Sequence, residues 1–163
     1  LSSFSCFQLI WKNVQFPALE YAYHWEKFNY SSGDESVDKN LKLIRHIIAA
    51  APSAHEAFQI AQRHKALYDP DWNKPEDNAR PKKVNVMKSL MRAKAQQHAY
   101  VKQKLLETGD RHIVEDSWRD DFWGWGPDRE GDYAKNTIPD KGWLGKLWQE
   151  IRAEVEAELY PNG

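Results

Sequence analysis

One short segment, residues 17–28, carries residue types suited to chemistry next to several aromatic side chains. If the segment is a helix, Glu20, His24 and Lys27 fall at positions i, i+4 and i+7 and therefore share one face. Tyr21, Trp25 and Phe28 would form the neighbouring apolar stripe. The same spacing also fits an ordinary surface helix, whose charged face is simply solvated.

A second segment, residues 115–126, holds four carboxylates among four aromatic side chains. A carboxylate surrounded by aromatic rings is partly desolvated, which can raise its pKa into a range useful for acid/base catalysis. The alternative interpretation is an aspartate cap with aromatic anchors in the core. The segment is therefore a second candidate for the wall of a site.

Other catalytic and binding motifs are absent from the sequence. No two of the six histidines lie three to five residues apart, and the single cysteine, Cys6, allows neither an internal disulfide nor a cysteine-based metal site. There is no nucleophile elbow and no glycine-rich phosphate loop. We therefore expect no metal and no cofactor. The remaining carboxylates and aromatic residues suit a glycosidase or a nucleotide-binding protein.

Length and composition favour one domain over residues 1–163, long enough to bury a core. No apolar run approaches the roughly 20 residues that a membrane span requires, so no membrane partner is expected. The first residues lack the features of a signal peptide. Together with the single cysteine, this predicts an intracellular, cytoplasmic protein.

The net charge is only −1, but the charges are segregated along the chain. Residues 80–106 contain eight basic and no acidic residues, and residues 107–132 contain nine acidic residues against three arginines. The basic run suggests a phosphate-bearing partner, with Arg92 and Lys94 as candidate phosphate ligands. The alternative is that the two oppositely charged faces pair with each other.

Hydrophobic periodicity predicts a mostly helical α+β protein. Residues 4–16 are expected to form a hairpin that turns at Lys12-Asn13, and residues 17–29 a helix. Further helical patterns occupy residues 41–51, 53–61, 84–106 (broken near Gln97-His98) and 142–160. Gly109 is a plausible helix stop.

The sequence resembles the NADAR (YbiA-like) domain family at both candidate segments. The similar runs, in chain order, are Leu1-Ser2-Ser3-Phe4, Leu19-Glu20-Tyr21, Lys27-Phe28, Asp71-Trp72, Met91-Arg92-Ala93-Lys94, residues 105–110, Ile113-Val114-Glu115, residues 120–124, Leu144-Gly145 and Ile151-Arg152. The resemblance thus extends over nearly the whole chain.

The sequence also departs from the family pattern. Ser3 and Gly142 stand where the family usually has Asn, and the loop 127–141 is longer and more polar than a minimal member needs. These differences concern groups that would hold a sugar or phosphate. The family's usual aromatic-containing segment upstream of Leu1 is not in this sequence, so we expect further residues to precede it.

The resemblance implies an α+β fold and hydrolysis of an N-glycosidic bond between a ribose and a base-like amine. Substrates in the family resemble ADP-ribose attached to the amino group of guanine, or phosphorylated ribosylaminopyrimidine intermediates of riboflavin synthesis. Carried over by position, the implicated residues are Glu20, Trp72, Asp120 and Trp123, with Lys27 as a further candidate.

The residue chemistry agrees with that implication. Breaking a ribosyl–nitrogen bond develops positive charge on the sugar, which a carboxylate stabilises, while a second acid/base activates water or protonates the amine. Glu20 and Asp120 suit these roles in either order. Lys27 is expected to hold a phosphate, orient Glu20 or act as an amine nucleophile if burial lowers its pKa. Trp72 and Trp123 would stack on the base or exclude solvent.

The leading hypothesis is an N-glycosidase that removes ADP-ribose from guanine in nucleic acid, as an antitoxin-type protein opposing an ADP-ribosyltransferase toxin. The basic run from Arg80 to Lys104 motivates the nucleic-acid substrate. One alternative is the same chemistry on a riboflavin-pathway ribosylamine. Another is a non-catalytic module that binds ADP-ribose or NAD.

Overall fold

The described part of the chain, residues 7–113, 122–124 and 142–162 of a computed structural model, contains six α-helices, one short 3-10 helix and a two-stranded sheet. In chain order the elements are β1 (Leu9–Trp11), β2 (Val14–Phe16), α1 (Leu19–Glu26), α2 (Glu35–Ala49), α3 (Ala54–Arg63), the 3-10 helix (Lys65–Leu67), α4 (Lys82–Gln97), α5 (Ala99–Glu107) and α6 (Trp143–Leu159). The predicted mostly helical α+β class is confirmed. Across these residues, no helix has both the length and the apolar character needed to cross a membrane.

Internal contacts group the described residues into two compact units, one ending at Ala93 and one beginning at Lys94. The boundary falls within α4, which continues unbroken through it. The expectation of a single domain over residues 1–163 stays a prediction.

In the first unit, β1 and β2 form the expected hairpin, with Leu9 opposite Phe16 and Trp11 opposite Val14. The turn contains no glycine, yet Lys12 and Asn13 have φ angles of 50° and 65°. Two successive left-handed residues make the type of turn whose twist matches that of a hairpin. Leu9 and Phe16 are fully buried, so alternate hairpin side chains enter the core.

Helices α1, α2 and α3 pack against one another, and α1 also packs against both strands. Asp34 caps the N-terminus of α2 by accepting hydrogen bonds from two backbone N–H groups, and Ser53 caps α3 by accepting from the N–H of Glu56. α1 is shorter than predicted, because it starts at Leu19 and its last turn ends at Lys27. Seven of its eight residues are buried, so α1 is the central element of this unit.

In the second unit, α5 packs against α6. The predicted break near Gln97-His98 is confirmed, because α4 ends at Gln97 and α5 starts at Ala99. Gly109 has a φ of 61° just after α5, the left-handed conformation that ends helices and favours glycine. Arg152 of α6 is buried and donates from Nη1 to Thr108 Oγ1 at 2.7 Å and to the Arg111 carbonyl at 2.8 Å. The end of α5 is thereby fixed to α6.

Glu26, at the end of α1, connects that helix to the hairpin. Its carboxylate is 5% exposed, and Oε1 accepts from Trp11 Nε1 at 2.8 Å and forms an ion pair with Lys12 Nζ at 2.8 Å. Asn29 Nδ2 donates to the same oxygen at 3.3 Å. One buried carboxylate therefore satisfies donors from the strand, the turn and the segment after the helix.

We expect Glu26→Ala to lower the free energy of unfolding by about 1–3 kcal/mol, because the part-buried Trp11 N–H loses its acceptor. Urea denaturation followed by tryptophan fluorescence measures this change. The control is Glu35→Ala, which removes an 87% exposed carboxylate paired to Lys39 at 3.7 Å and should cost no more than about 0.5 kcal/mol. Equal losses in the two variants would contradict the bridging role of Glu26.

Candidate active site

The amine of Lys27 is enclosed by aromatic rings in the first unit. Lys27 is the residue that caps the C-terminus of α1, and it is only 7% exposed. Its Nζ lies 5.0 Å from the ring centroid of Tyr23 and 4.9 Å from that of Tyr68. Among the described residues, no carboxylate lies within ion-pair distance of this nitrogen. The cation is therefore stabilised by ring faces rather than by an opposite charge.

His24 is the hydrogen-bond partner of this amine. Lys27 Nζ lies 3.2 Å from His24 Nδ1, one helical turn earlier. Burial, and then the charge of Lys27, lowers the pKa of His24 from 6.5 to about 3. The imidazole is thus neutral at physiological pH, and its Nδ1 accepts the hydrogen bond that the ammonium donates.

Burial also lowers the pKa of Lys27, from 10.5 to about 8, with further contributions from the positive charges of Lys83 and Lys65. At pH 7 a pKa of about 8 leaves roughly a tenth of the molecules with a neutral amine. An unperturbed lysine would be neutral in fewer than about one molecule in a thousand. The environment therefore leaves a much larger fraction of Lys27 as the neutral amine, the form that can act as a nucleophile, than a surface lysine would have.

The backbone at Lys27 is fixed by Asp69 in the loop after the 3-10 helix. The Asp69 N–H donates to the Lys27 carbonyl at 2.7 Å. The buried Asp69 side chain accepts from the Asp71 N–H at 2.9 Å and pairs with Lys82 Nζ at 2.6 Å. Arg45 of α2 donates to the next carbonyl, that of Phe28, at 2.6 Å. The first two carbonyls after α1, those of Lys27 and Phe28, are therefore held by groups from two other elements.

Glu20 lies in the first turn of α1 and is half-buried. Its carboxylate makes no hydrogen bond or ion pair with any other residue in the described ranges. The pKa of the adjacent Tyr21 is raised by burial and then by the negative charges of Glu56 and Glu20. Seven residues separate Glu20 from Lys27, about 10 Å along the helix axis. The Glu20 carboxylate is therefore partly open to solvent, on the same helix face as Lys27.

Trp72 is 3% exposed, and its ring packs on Tyr23 with a centroid distance of 5.3 Å and an interplanar angle of 54°. Its carbonyl accepts from the Lys83 N–H at 3.0 Å. A ring this deeply buried excludes solvent from behind Tyr23. Stacking of Trp72 on a base would require part of this contact to open.

The remaining predicted site residues are Trp123, Arg92, Lys94 and Asp120. Trp123 is half-buried, its ring lies edge-on to Phe122 at 5.0 Å, and its carbonyl accepts from the Leu144 N–H. Arg92 is half-buried and lies nine residues after Lys83, on the opposite face of α4. Lys94 is buried, with 3% exposure. Asp120 lies outside the described residues.

Three lysines of the basic run pair with carboxylates within the chain. Lys82 pairs with Asp69, while the ammonium groups of Lys102 and Lys104 lie 3.9 and 3.3 Å from carboxylates of Glu158 and Glu107. Of these three carboxylates only Glu107 belongs to the acidic run, three residues from Lys104 in the chain, so pairing between the two oppositely charged runs stays a prediction.

The sequence interpretation missed residues that surround Lys27. His24 was noted on the same face but given no role, although its spacing of three residues before Lys27 predicts contact on a helix. Lys65 lies in a short 3-10 helix and Tyr68 directly follows it. No periodic pattern there indicates which side chains face α1. Lys83 is one of eight basic residues in the run 80–106, and nothing in the sequence distinguishes it from the others.

The depressed pKa of Lys27 predicts a pH-dependent stability. Between pH 8 and 10.5 the unfolded chain binds more protons than the folded one, so burial of the ammonium costs stability below pH 8 and this cost vanishes as pH rises. We expect the stability of Lys27→Met relative to wild type to fall by roughly 2–3 kcal/mol between pH 7 and pH 10. Urea denaturation of both proteins across this range measures it.

The matched control for this experiment is Lys39→Met, because Lys39 is 78% exposed on α2. Its stability relative to wild type should stay nearly constant over the same pH range. A flat difference for Lys27→Met as well would contradict the lowered pKa.

Comparison with known proteins gives consistent results. The family model described as the NADAR domain matches residues 2–156. An N-glycosidase of Nostoc punctiforme is 26% identical over 162 residues, covering 99% of this chain and 88% of that protein. A riboflavin biosynthesis protein of Vibrio vulnificus is 27% identical over 140 residues, or 86% of this chain. That match spans only 31% of the Vibrio protein.

Among solved structures, the NMR structure of the E. coli protein YbiA is similar with a TM-score of 0.64 and 25% sequence identity. The similarity covers 99% of this chain and 80% of YbiA. The family model extends over almost the entire sequence, and the fold agrees with that of YbiA. The chain belongs to the NADAR domain family, as its motifs predicted.

Proposed function

We propose that this protein is an N-glycosidase that removes ADP-ribose from the amino group of guanine in nucleic acid. The N-glycosidase class is supported by membership of the NADAR family and by the name of the Nostoc relative, an N-glycosidase. The finer choice of substrate rests on the family resemblance and on the basic run of residues 80–106. In this proposal the protein opposes an ADP-ribosyltransferase toxin.

The observation that carries the proposal is the enclosed amine of Lys27, with a pKa of about 8, on the same helix as the accessible carboxylate of Glu20. A lysine that only clamps phosphate works best as a permanent cation in contact with solvent. Burial between two ring faces without a carboxylate instead favours an amine that loses its proton readily. Of the three roles considered for Lys27, that of nucleophile has the most support.

The proposed reaction exchanges one amine for another at C1′ of the ribose. Opening of the sugar ring moves the C1′–O4′ electron pair onto O4′, which takes a proton, and leaves an iminium between C1′ and the guanine nitrogen. The neutral Lys27 amine adds to C1′. A proton then moves from the Lys27 nitrogen to the guanine nitrogen, and guanine leaves with a neutral amino group while C1′ forms an imine with Lys27. Water hydrolyses the resulting Lys27 imine and releases the sugar. One water is consumed, with no oxidation or reduction.

Glu20 and Asp120 share the proton transfers in this scheme. The half-buried Glu20 carboxylate supplies one acid/base group and balances positive charge as it develops on the sugar. Asp120 supplies the second. Trp72 excludes water behind Tyr23, and Trp123 stacks on the base. Lys65 and Lys83, whose charges lower the pKa of Lys27, are candidate ligands of a substrate phosphate, as is Lys94. Arg92, on the face of α4 opposite Lys83, would have to bind a different phosphate group.

A second candidate substrate is a phosphorylated ribosylaminopyrimidine. It is favoured by the name of the Vibrio relative and by the pairing of Lys82, Lys102 and Lys104 with carboxylates, which leaves a smaller basic surface for nucleic acid. The chemistry at Lys27 and Glu20 would be the same, since both substrates join a ribose to an amine. A non-catalytic module that binds ADP-ribose remains the alternative from another class.

Product analysis distinguishes the three. The protein is incubated with an oligonucleotide bearing one ADP-ribosylated guanine and, separately, with the phosphorylated ribosylaminopyrimidine, and products are identified by mass spectrometry. We expect free ADP-ribose and restored guanine from the first. Ribose 5-phosphate from the second alone would replace the proposed substrate with the riboflavin intermediate. Binding of either compound without product would overturn the enzyme proposal.

Glu20→Gln is the variant for the same assay, because it removes the charge and keeps the shape of the side chain. We expect kcat/KM to fall at least about 100-fold, the usual size of an acid/base contribution. Glu35→Gln, at an exposed position of α2, should retain full activity. A Glu20→Gln protein with wild-type activity would remove Glu20 from the mechanism.

A further inference from the structure

His24 is a buried polar residue that the proposed reaction does not use. Its ring is 9% exposed and lies edge-on to Tyr23 at 5.6 Å and to Phe58 of α3 at 5.7 Å. Nonpolar contacts of this kind would suit any core aromatic residue. Its Nδ1, however, lies 3.2 Å from Lys27 Nζ, and no other hydrogen bond to that nitrogen occurs among the described residues. The ring therefore has a specific polar function on the side that faces the amine.

The charged and titratable groups around the pair come from several elements. Tyr23 belongs to α1, Lys65 to the 3-10 helix, Tyr68 to the following loop and Lys83 to α4. α3 contributes Phe58, whose ring lies edge-on to that of His24 and stacks with His55 at 6.3 Å. No group in this set carries a negative charge at neutral pH. A neutral acceptor is thus the only polar anchor that the described surroundings give the ammonium.

We propose that His24 is the positioning residue for Lys27: its Nδ1 holds the amine in one place and turns the amine's lone pair toward the substrate. The inference rests on the proposed function, in which Lys27 attacks C1′. It adds a residue that neither the family resemblance nor the names of the relatives assign to the site.

The geometry explains why a histidine suits this task better than a carboxylate. An aspartate or glutamate at the same distance would form an ion pair, keep Lys27 protonated and suppress its nucleophilicity. A neutral Nδ1 accepts an N–H from the ammonium and from the neutral amine alike. When the amine has lost its proton, its remaining N–H groups include the one bound to His24, so the lone pair points away from the ring. The hydrogen bond thus persists through the proton loss that creates the nucleophile.

Two substitutions test this role. His24→Leu fills much of the volume but removes the acceptor, whereas His24→Asn places Oδ1 near the position of Nδ1 and keeps a neutral acceptor. We expect His24→Leu to reduce kcat about 10- to 100-fold with KM changed by less than about threefold, since misplacement of the amine affects the chemical step. His24→Asn should recover most of the lost kcat. Loss of kcat in both variants to the same extent would overturn the role of the acceptor.

The pKa of Lys27 provides a readout that does not depend on any substrate. It is measured by NMR on protein with 13C-labelled lysine side chains, with Lys27→Met used to assign the resonance. We expect His24→Leu to lower this pKa below that of wild type, because the ammonium loses its acceptor, and His24→Asn to leave it close to about 8. An unchanged pKa in a folded His24→Leu protein would overturn the inference.

Phe58→Leu separates positioning from stability. It trims a ring that packs edge-on to His24 and is not one of the two rings at the Lys27 amine, so it should lower the melting temperature and leave the Lys27 pKa unchanged. If His24→Leu behaves in the same way, His24 is a packing residue only. If no substrate is turned over but the Lys27 pKa responds to His24→Leu, the proposed function fails while the His24–Lys27 contact stands.

Discussion

The burial of one ammonium group without a carboxylate partner is the constraint on which the rest of this site depends. A lysine amine removed from water resists protonation, and within the described residues its compensation is limited to the faces of two tyrosine rings and one neutral imidazole. This compensation is smaller than the lost hydration, so the pKa falls. The same loss that destabilises the folded chain at neutral pH produces an amine able to attack a sugar. Perturbed lysines of this kind are typical of functional sites.

The surrounding structure holds the amine in this unfavourable place. Asp69 and Arg45 bind the carbonyls of Lys27 and Phe28, just after α1, and these hydrogen bonds fix the backbone that carries the Lys27 side chain. Glu26 fixes the same end of the helix to the hairpin. Five of the buried residues of α1 are aliphatic or aromatic, and their packing offsets the cost of the buried charge. The contacts that stabilise this part of the fold therefore lie around the buried Lys27 ammonium, the group that destabilises it.

The local patterns predicted much of the fold. The Lys12-Asn13 turn, the break at Gln97-His98 and the stop at Gly109 each follow from a few neighbouring residues, and each is confirmed. Membership of the NADAR family is also confirmed, because its motifs are distributed along the whole sequence. Helical spacing correctly placed His24 and Lys27 on one face, since neighbours on a helix are determined by the sequence alone.

Contacts between elements were not predictable in this way. That Tyr68 covers Lys27, or that Asp69 binds its carbonyl, depends on how an irregular loop folds back over α1. The sequence shows that residues 80–106 are basic, but not which of these charges are available to a substrate. That depends on which carboxylates lie near them in the fold, and Lys82, for example, pairs with Asp69 within the chain. The role of Asp120 stays a prediction, since it lies outside the described residues.

The central claim is that Lys27 becomes covalently bound to the substrate sugar through an imine. Borohydride reduces such an imine to a stable secondary amine, so trapping during turnover tests the claim most directly. With ADP-ribosylated guanine as substrate, the account predicts that the protein gains the mass of a reduced ADP-ribosyl group and that peptide mapping places it on Lys27. Lys27→Met should show no adduct. Full turnover in wild type with no trapped adduct at Lys27 would contradict the account.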